Sequence, residues 1–167
     1  MITHVHVSTI YECSLERAFK TPILCDLSKV HTGFGFIPKV THTTEDKDWG
    51  KAGSSKKVFV AKSLTQKGGF AFVDHVIERQ ENQYWQIQVD DFQFWMLGFY
   101  KFVGEWHTTR LEHEKIQIDY SYRLHSKGYL LYPFCWIFGK VVWNRYMKRV
   151  LENIREMANK KEQYLYE

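Results

Sequence analysis

Apolar residues near the end of the chain recur at steps of three and four: Trp136, Gly139, Trp143, Met147, Val150, Ile154 and Met157. That spacing predicts one long amphipathic helix over residues 133–161. Pro133 suits its first turn, where an N–H would lack a helical partner, and Lys160 and Lys161 suit the negative C-terminal end. At about 1.5 Å per residue such a helix would run about 40 Å. Its two halves differ. The back half carries Arg145, Lys148, Arg149, Glu152, Arg155 and Glu156 off the stripe, as a helix with one buried face should. The front half adds Phe134, Ile137, Phe138, Val141 and Val142 on other faces. It must be covered on more than one side, by protein, ligand, a partner or lipid.

Upstream the period falls to two. Residues 3–11 alternate Val5, Val7, Thr9 and Tyr11 against His4, His6, Ser8 and Ile10, which predicts a first strand. Ser14 then caps a short helix with Leu15, Ala18 and Phe19 on one face. Pro22 is expected to restart the chain into a second short helical or irregular segment ending near Gly33 and Gly35. Strands are predicted over 39–44, 55–63, 70–80, 85–90, 99–108 and 115–124. Their turns fall around Asp46 to Gly53, at Gly68 and Gly69, and at Glu81 and Asn82, while the dense apolar stretch 92–98 ends at Gly98. In the last strand Ile116, Ile118, Tyr120, Tyr122 and Leu124 share one face, with Gln117, Asp119, Ser121 and Arg123 on the other. Between residues 55 and 63, Val58 and Val60 alternate with Phe59 and Ala61, as in a strand covered on both faces.

The order is strand, two short helices, six strands, long helix, with no linker or repeat to divide it. The expected class is α+β: a seven-stranded curved antiparallel sheet with one face to hide, wrapped on the long C-terminal helix. Residues 1–167 read as one domain, large enough to bury about 70% of its unfolded surface. A curved sheet on a single helix leaves a space between them, with the short helices closing one end.

Composition sharpens this picture in one respect. Phe, Tyr and Trp make up 17% of the chain, more than an ordinary core needs, so either the core is aromatic-rich or a pocket is lined with rings. The formal charge of +4 comes from interspersed residues rather than a basic run, which argues against nucleic acid as partner. Cys13, Cys25 and Cys135 have no metal-ligand spacing and suit a reduced cytoplasmic protein. The alternating N-terminus does not look like a signal peptide, and the apolar run 129–139 is about half of what a bilayer span needs.

The chain resembles the helix-grip proteins of the START and polyketide cyclase/dehydrase group, the SRPBCC or Bet v 1-like superfamily. The stretches that carry the resemblance are VHVSTIYECSLERAF, IPKVTHT, GKAGSSKKVFV, DHVIERQENQYWQIQV, FVGEWHTT, KIQIDYSYRL and MKRVLENIREMANK. They cover nearly the whole chain, none is a catalytic signature, and the specificity lies in their series. The resemblance implies a cavity between sheet and C-terminal helix that accepts an apolar or aromatic ligand. Some relatives bind lipids or hormones, and some cyclise or dehydrate polyketides. Val30 and His31 stand where relatives often carry a tryptophan, which implies a differently built portal.

The expected cavity lining is Trp85, Phe102, Trp106, Tyr120, Tyr122, Trp143 and Met147, the tyrosine hydroxyls being available to orient a ligand. Phe34, Phe36 and Phe138 are expected at its mouth. Gly33 and Gly35 lack the preceding strand and following helix of a phosphate loop. Their loop reads either as a mobile element presenting Phe34 and Phe36 to the cavity or as ordinary packing. Glu105 and His107 lie two apart on one strand face and would form an acid/base pair if that face is concave; if Trp106 points inward, they are solvated. Asp119 and Arg123 read as a solvent-side pair, and His4 and His6 as surface residues without a third metal ligand. No cofactor or metal is expected. Binding of a hydrophobic small molecule or lipid without catalysis is the leading function. The alternatives are a cofactor-free cyclase/dehydratase, and an interaction module whose apolar helix front meets a partner protein, a second copy in a homodimer, or a membrane surface.

Overall fold

A computed structural model of the chain describes residues 1–44, 47–63, 66–94 and 98–166. β1 (Ile2–Glu12) is followed by α1 (Leu15–Leu24) and α2 (Leu27–Val30). Then come β2 (Val40–Thr43), β3 (Ser55–Val60), β4 (Gly69–Gln80), β5 (Tyr84–Asp90), β6 (Phe99–Glu112) and β7 (Lys115–Ser126). The chain closes with α3 (Tyr132–Ile137), a π-helical segment (Phe138–Trp143) and α4 (Asn144–Asn159). The predicted element order is the observed one. Of the predicted turns, Asp46 lies outside the described residues, as do Trp95, Met96 and Leu97 of the apolar stretch.

The strands form one seven-stranded sheet in the order β1-β7-β6-β5-β4-β3-β2, every pair antiparallel. β1 runs along β7 from the Ile2–His125 pair to the Glu12–Lys115 pair, so the first and last strands close one side together. Register shifts at Val58/Phe59, Val76/Glu78, Phe99/Lys101 and Arg110/Glu112 are bulges, which bend a sheet and increase its twist. The sheet is thereby curved around the C-terminal helix.

Alternation decides which side chains meet that helix. Val5, Val7 and Tyr11 of β1 are buried, as are Ile116, Ile118, Tyr120, Tyr122 and Leu124 of β7. They pack with Met147, Val150, Leu151 and Ile154 in one continuous core. The Tyr11 hydroxyl, fully enclosed, donates to the Leu151 carbonyl at 2.9 Å. At the opposite edge Val40, Val58, Val60 and Ala71 form a separate small cluster.

Two local expectations are corrected. Pro22 does not restart the chain: it sits inside α1, which runs on to Leu24 and is capped by Ser14 Oγ accepting from the Arg17 N–H at 3.3 Å. A single lost backbone bond does not end a helix whose Ala18 and Phe19 are fully buried. The C-terminal stripe is also shifted at its start. Trp136 is 49% exposed, while Cys135 and Phe138 are buried together with Gly139 and Trp143. A π turn closes i→i+5 bonds and so holds one residue more than an α turn. Backward from Trp143, that extra residue rotates Trp136 out and Cys135 in.

At Gly139 the helix passes close to β1. A Cβ there would stand 2.6 Å from Thr3 Cγ2, on a threonine that is itself buried. Only a residue without a side chain lets the front of the helix lie this close to β1.

Candidate functional site

Between the sheet and the helix lies a cavity of about 590 Å³. Its floor is the concave face of the sheet, with Phe72 and Asp74 of β4, Trp85, Ile87 and Val89 of β5, Phe102 of β6, and Tyr120 and Tyr122 of β7. Phe138, Trp143, Tyr146, Val150 and Ile154 form the helical wall, and Val30, His31, Phe36, Ile37 and Pro38 close a third side. Gly104 makes room in the floor, because a Cβ on it would stand 3.1 Å from Tyr120 Oη and from the Tyr122 ring. The space over Gly104 is thus occupied by two phenols.

Ring packing fixes this lining. Trp143 lies edge-on to both Phe102 and Tyr122, with centroids 5.0 and 5.5 Å away. Trp85 stacks on Trp106 at 5.3 Å and meets Tyr120 edge-on at 5.5 Å. At the mouth Phe36, 44% exposed, packs on Phe138 at 6.1 Å. Behind it Phe34 leans on Tyr146 at 6.4 Å. These are separations at which offset and edge-to-face pairs attract.

Of the residues expected in the cavity, Trp85, Phe102, Tyr120, Tyr122 and Trp143 line it, as do Phe36 and Phe138 at the mouth. Trp106 and Met147 are fully buried behind the lining, and Phe34 reaches it only through Tyr146. Glu105 and His107 are elsewhere. Trp106 takes the inward position, so its neighbours point to the outer face, where Glu105 accepts from Gln86 Nε2 at 2.9 Å and pairs with Arg123 at 2.8 Å. His107 is exposed and rests beside the Tyr84 ring at 4.7 Å. Arg123 is thereby taken from the expected partner Asp119, which faces His6 Nε2 at 3.4 Å instead.

The polar groups that do line the cavity are Asp74, Lys56, His31 and the phenols of Tyr120, Tyr122 and Tyr146, together with Gln66. Pattern reading passed over Asp74, Lys56, Tyr146 and Gln66, and named His31 only as part of a differently built portal. Asp74 is 6% exposed, and burial pushes its carboxyl up to about 6, against the opposing pull of Lys56. Lys56 stands in register with it on β3 and lies over the Trp49 ring at 3.9 Å. Burial draws the His31 imidazole down to about 4, with Lys56 adding to the effect. A ring held neutral in this way can share its Nδ1 with the Tyr146 hydroxyl at 2.7 Å. Tyr120 and Tyr122 bond through their hydroxyls at 2.5 Å, and burial raises both well above the usual phenol range. The signal that could have found Asp74 is an acid on the same strand face as Phe72 and Val76.

Among the described residues, no three His, Cys, Asp or Glu side chains form a group that could hold a metal ion. Burial holds two of the thiols in the protonated form: it pushes Cys13 up to about 11 and Cys25 up to about 12, far from the thiolate form that reacts.

A curved antiparallel sheet gripping a C-terminal helix around a ring-lined cavity defines a helix-grip protein. The chain has the Bet v 1-like helix-grip fold, and solved structures superpose on nearly its full length. Ara h 8.0201 aligns with a TM-score of 0.66 at 10% identity, covering 96% of this chain and 99% of its own. Norcoclaurine synthase from Thalictrum flavum, solved with dopamine and hydroxybenzaldehyde, gives 0.66 at 11% identity over 98% of this chain and 90% of its own. A Staphylococcus aureus protein of unknown function gives 0.71 at 14% identity over 96% of both chains. No family model and no curated protein matches the sequence.

Proposed function

We propose that the protein binds a hydrophobic small molecule or lipid in the cavity between sheet and helix, without catalysis. The observation that carries this reading is the cavity itself: about 590 Å³ of space walled mainly by aromatic and aliphatic side chains. That volume suits a drug-sized ligand. A core built only for stability would be filled, since interiors close-pack to crystal density. Norcoclaurine synthase, of the same fold, was solved with two small aromatic compounds, which supports a small-molecule role without deciding between binder and catalyst. The experiment is native mass spectrometry of gently purified protein, followed by thermal shifts with fatty acids, sterols and aromatic polyketides. A co-purifying mass or a raised melting temperature is expected; a bare chain with no shift across the panel overturns the reading.

A second observation favours a membrane-surface role beside ligand binding. Tyr129, Leu130, Phe134, Trp136, Ile137 and Val141 are each 43–77% exposed at the front of the C-terminal helix, next to the Phe36–Phe138 mouth. No Asp or Glu occurs from Leu124 through Leu151, a stretch that holds Lys127, Lys140, Arg145, Lys148 and Arg149, all five of them exposed. Exposed aromatics in a stretch that carries cations and no acids fit the interface of an anionic bilayer better than an uncharged partner face. No helix among the described residues is long and apolar enough to cross a membrane, so any attachment through helices is to the surface. Phe138 is buried, which makes Phe134→Asp the informative substitution. Co-sedimentation with phosphatidylserine-containing vesicles, lost in Phe134→Asp and weakened in Lys140→Glu, is the expected result. Indifference to such vesicles, or a dimer through this face at micromolar concentration, overturns it.

A further inference from the structure

Three residues that line the cavity carry a buried polar atom without a hydrogen-bond partner among the described residues: Asp74 Oδ1, Trp85 Nε1 and Trp143 Nε1. These residues are 6%, 3% and 9% exposed and all line the same space. Buried polar atoms are almost always satisfied, so three orphans on residues that line one cavity call for a ligand. From this geometry we infer that Asp74 is a ligand anchor, accepting a hydrogen bond from a hydroxyl or N–H of a neutral, mainly apolar ring compound, with the indole N–H groups donating to its acceptors. The inference rests on the proposed binding role and specifies the chemistry of its ligand.

The remaining polar groups narrow the class further. The Tyr120 and Tyr122 hydroxyls bond each other, and His31 holds the Tyr146 hydroxyl, so these pairs are largely occupied. Lys56 places one positive charge in register across from Asp74. A cavity with one buried cation and one buried carboxyl favours a ligand without net charge. A carboxylate ligand would leave Asp74 facing a like charge, whereas a plain hydrocarbon would leave it unsatisfied, at the full cost of its desolvation. A free fatty acid headgroup is therefore disfavoured at this end, and a hydroxylated or N–H-bearing ring system is preferred. Raising Asp74 to about 6 by burial is consistent with this role: near neutral pH the group is ionised and acts as a strong acceptor. Besides Lys56, the ionisable groups acting on it are His75 on its own strand and Asp90 on β5, while Tyr120 and Tyr122 respond to it from β7.

The test uses three probes of one ring size, 2-naphthol, 2-methoxynaphthalene and 2-naphthoate, titrated at pH 7.5 into wild type, Asp74→Leu and Asp74→Asn by calorimetry. Wild type is expected to prefer the naphthol over its methyl ether by about tenfold or more, as a hydrogen bond to a charged group does, and to bind the naphthoate most weakly. In Asp74→Leu the ether is expected to bind as in wild type and the preference to vanish. Asp74→Asn, closest in shape, should retain the fold and a reduced preference, which gives a readout if the leucine variant does not fold. Equal binding of all three probes to wild type, or a preference that survives in both variants, overturns the anchor while leaving the cavity as a binding site. Failure of all three probes to bind wild type overturns the anchor, while the cavity reading stands or falls on the co-purification and thermal-shift panel.

Discussion

At the scale of residues, Asp74 and His31 pull stability in opposite directions with pH. An unfolded aspartate titrates near ~3.9 and the folded Asp74 near about 6. Between those values the folded protein holds the extra proton, so stability falls as pH rises, and above about 6 the deficit is complete at roughly 3 kcal/mol. His31 behaves conversely. Its unfolded value lies near ~6.5 and its folded value at about 4, so its contribution is whole above ~6.5 and is lost as pH falls. The two slopes oppose each other from about pH 4 to 6 and flatten the wild-type profile. Asp74→Asn should expose the His31 slope alone: the ligand-free variant melts higher than wild type at pH 7.5 and loses that advantage by pH 4. Melting curves across this range check it, and an Asp74→Asn that is less stable at pH 7.5 would show the carboxyl to be structural. By the same reasoning Glu105→Gln, on the outer face in a part-exposed pair with Arg123, should change stability by less than about 1 kcal/mol.

At the scale of elements, the C-terminal helix is set by one wide turn and one missing side chain. The π segment decides which residues of the front half face inward, and Gly139 decides how near they come to β1. Helix propensity alone makes Gly139→Ala stabilising by up to about 1 kcal/mol. The added methyl, however, would meet Thr3 Cγ2 at 2.6 Å in a closely packed contact. Overpacking of this kind costs about 1–3 kcal/mol, so the contact should win and Gly139→Ala should lower stability. Thr3→Ser removes the obstructing methyl, and the double variant should recover part of the loss. Urea denaturation of the four proteins in the cycle measures the coupling. Additive effects would show that the helix front moves freely away from β1, and the close approach would then have no structural importance. None of this was legible in the stripe, because the residue inserted by a π turn has no composition of its own and shifts the phase only where it falls.

At the scale of the whole molecule, the fold was readable because most of its surfaces have one wet side. In β1 and β7 polar outer faces oppose Val5, Val7, Ile116 and Ile118, and a period of two in the sequence becomes one buried face in space. The cavity lining was partly readable for the same reason, since a ring-bearing inward face can only meet the helix. Asp74, Lys56 and His31 were not, because each is an ordinary polar residue until closure of the sheet brings β3, β4 and α2 around one space. Tyr146 approaches His31 across 115 residues of chain, a separation no local pattern reports. Nor could β6 alone say whether Trp106 or its neighbours Glu105 and His107 face inward; that depends on which face the whole sheet turns to the helix. The same global closure sets the size of the response to a ligand. A compound that fills the cavity binds the folded chain and not the unfolded one, so at about 100 times its dissociation constant it adds about 2.7 kcal/mol. For a chain of this length each kcal/mol raises the melting temperature by about 2–4 °C, which predicts a shift of about 5–10 °C. A shift that stays below about 1 °C while calorimetry reports saturation would mean that the ligand also binds the unfolded chain or sits outside the cavity, since occupancy of a site formed only by the closed sheet and helix must appear as stability.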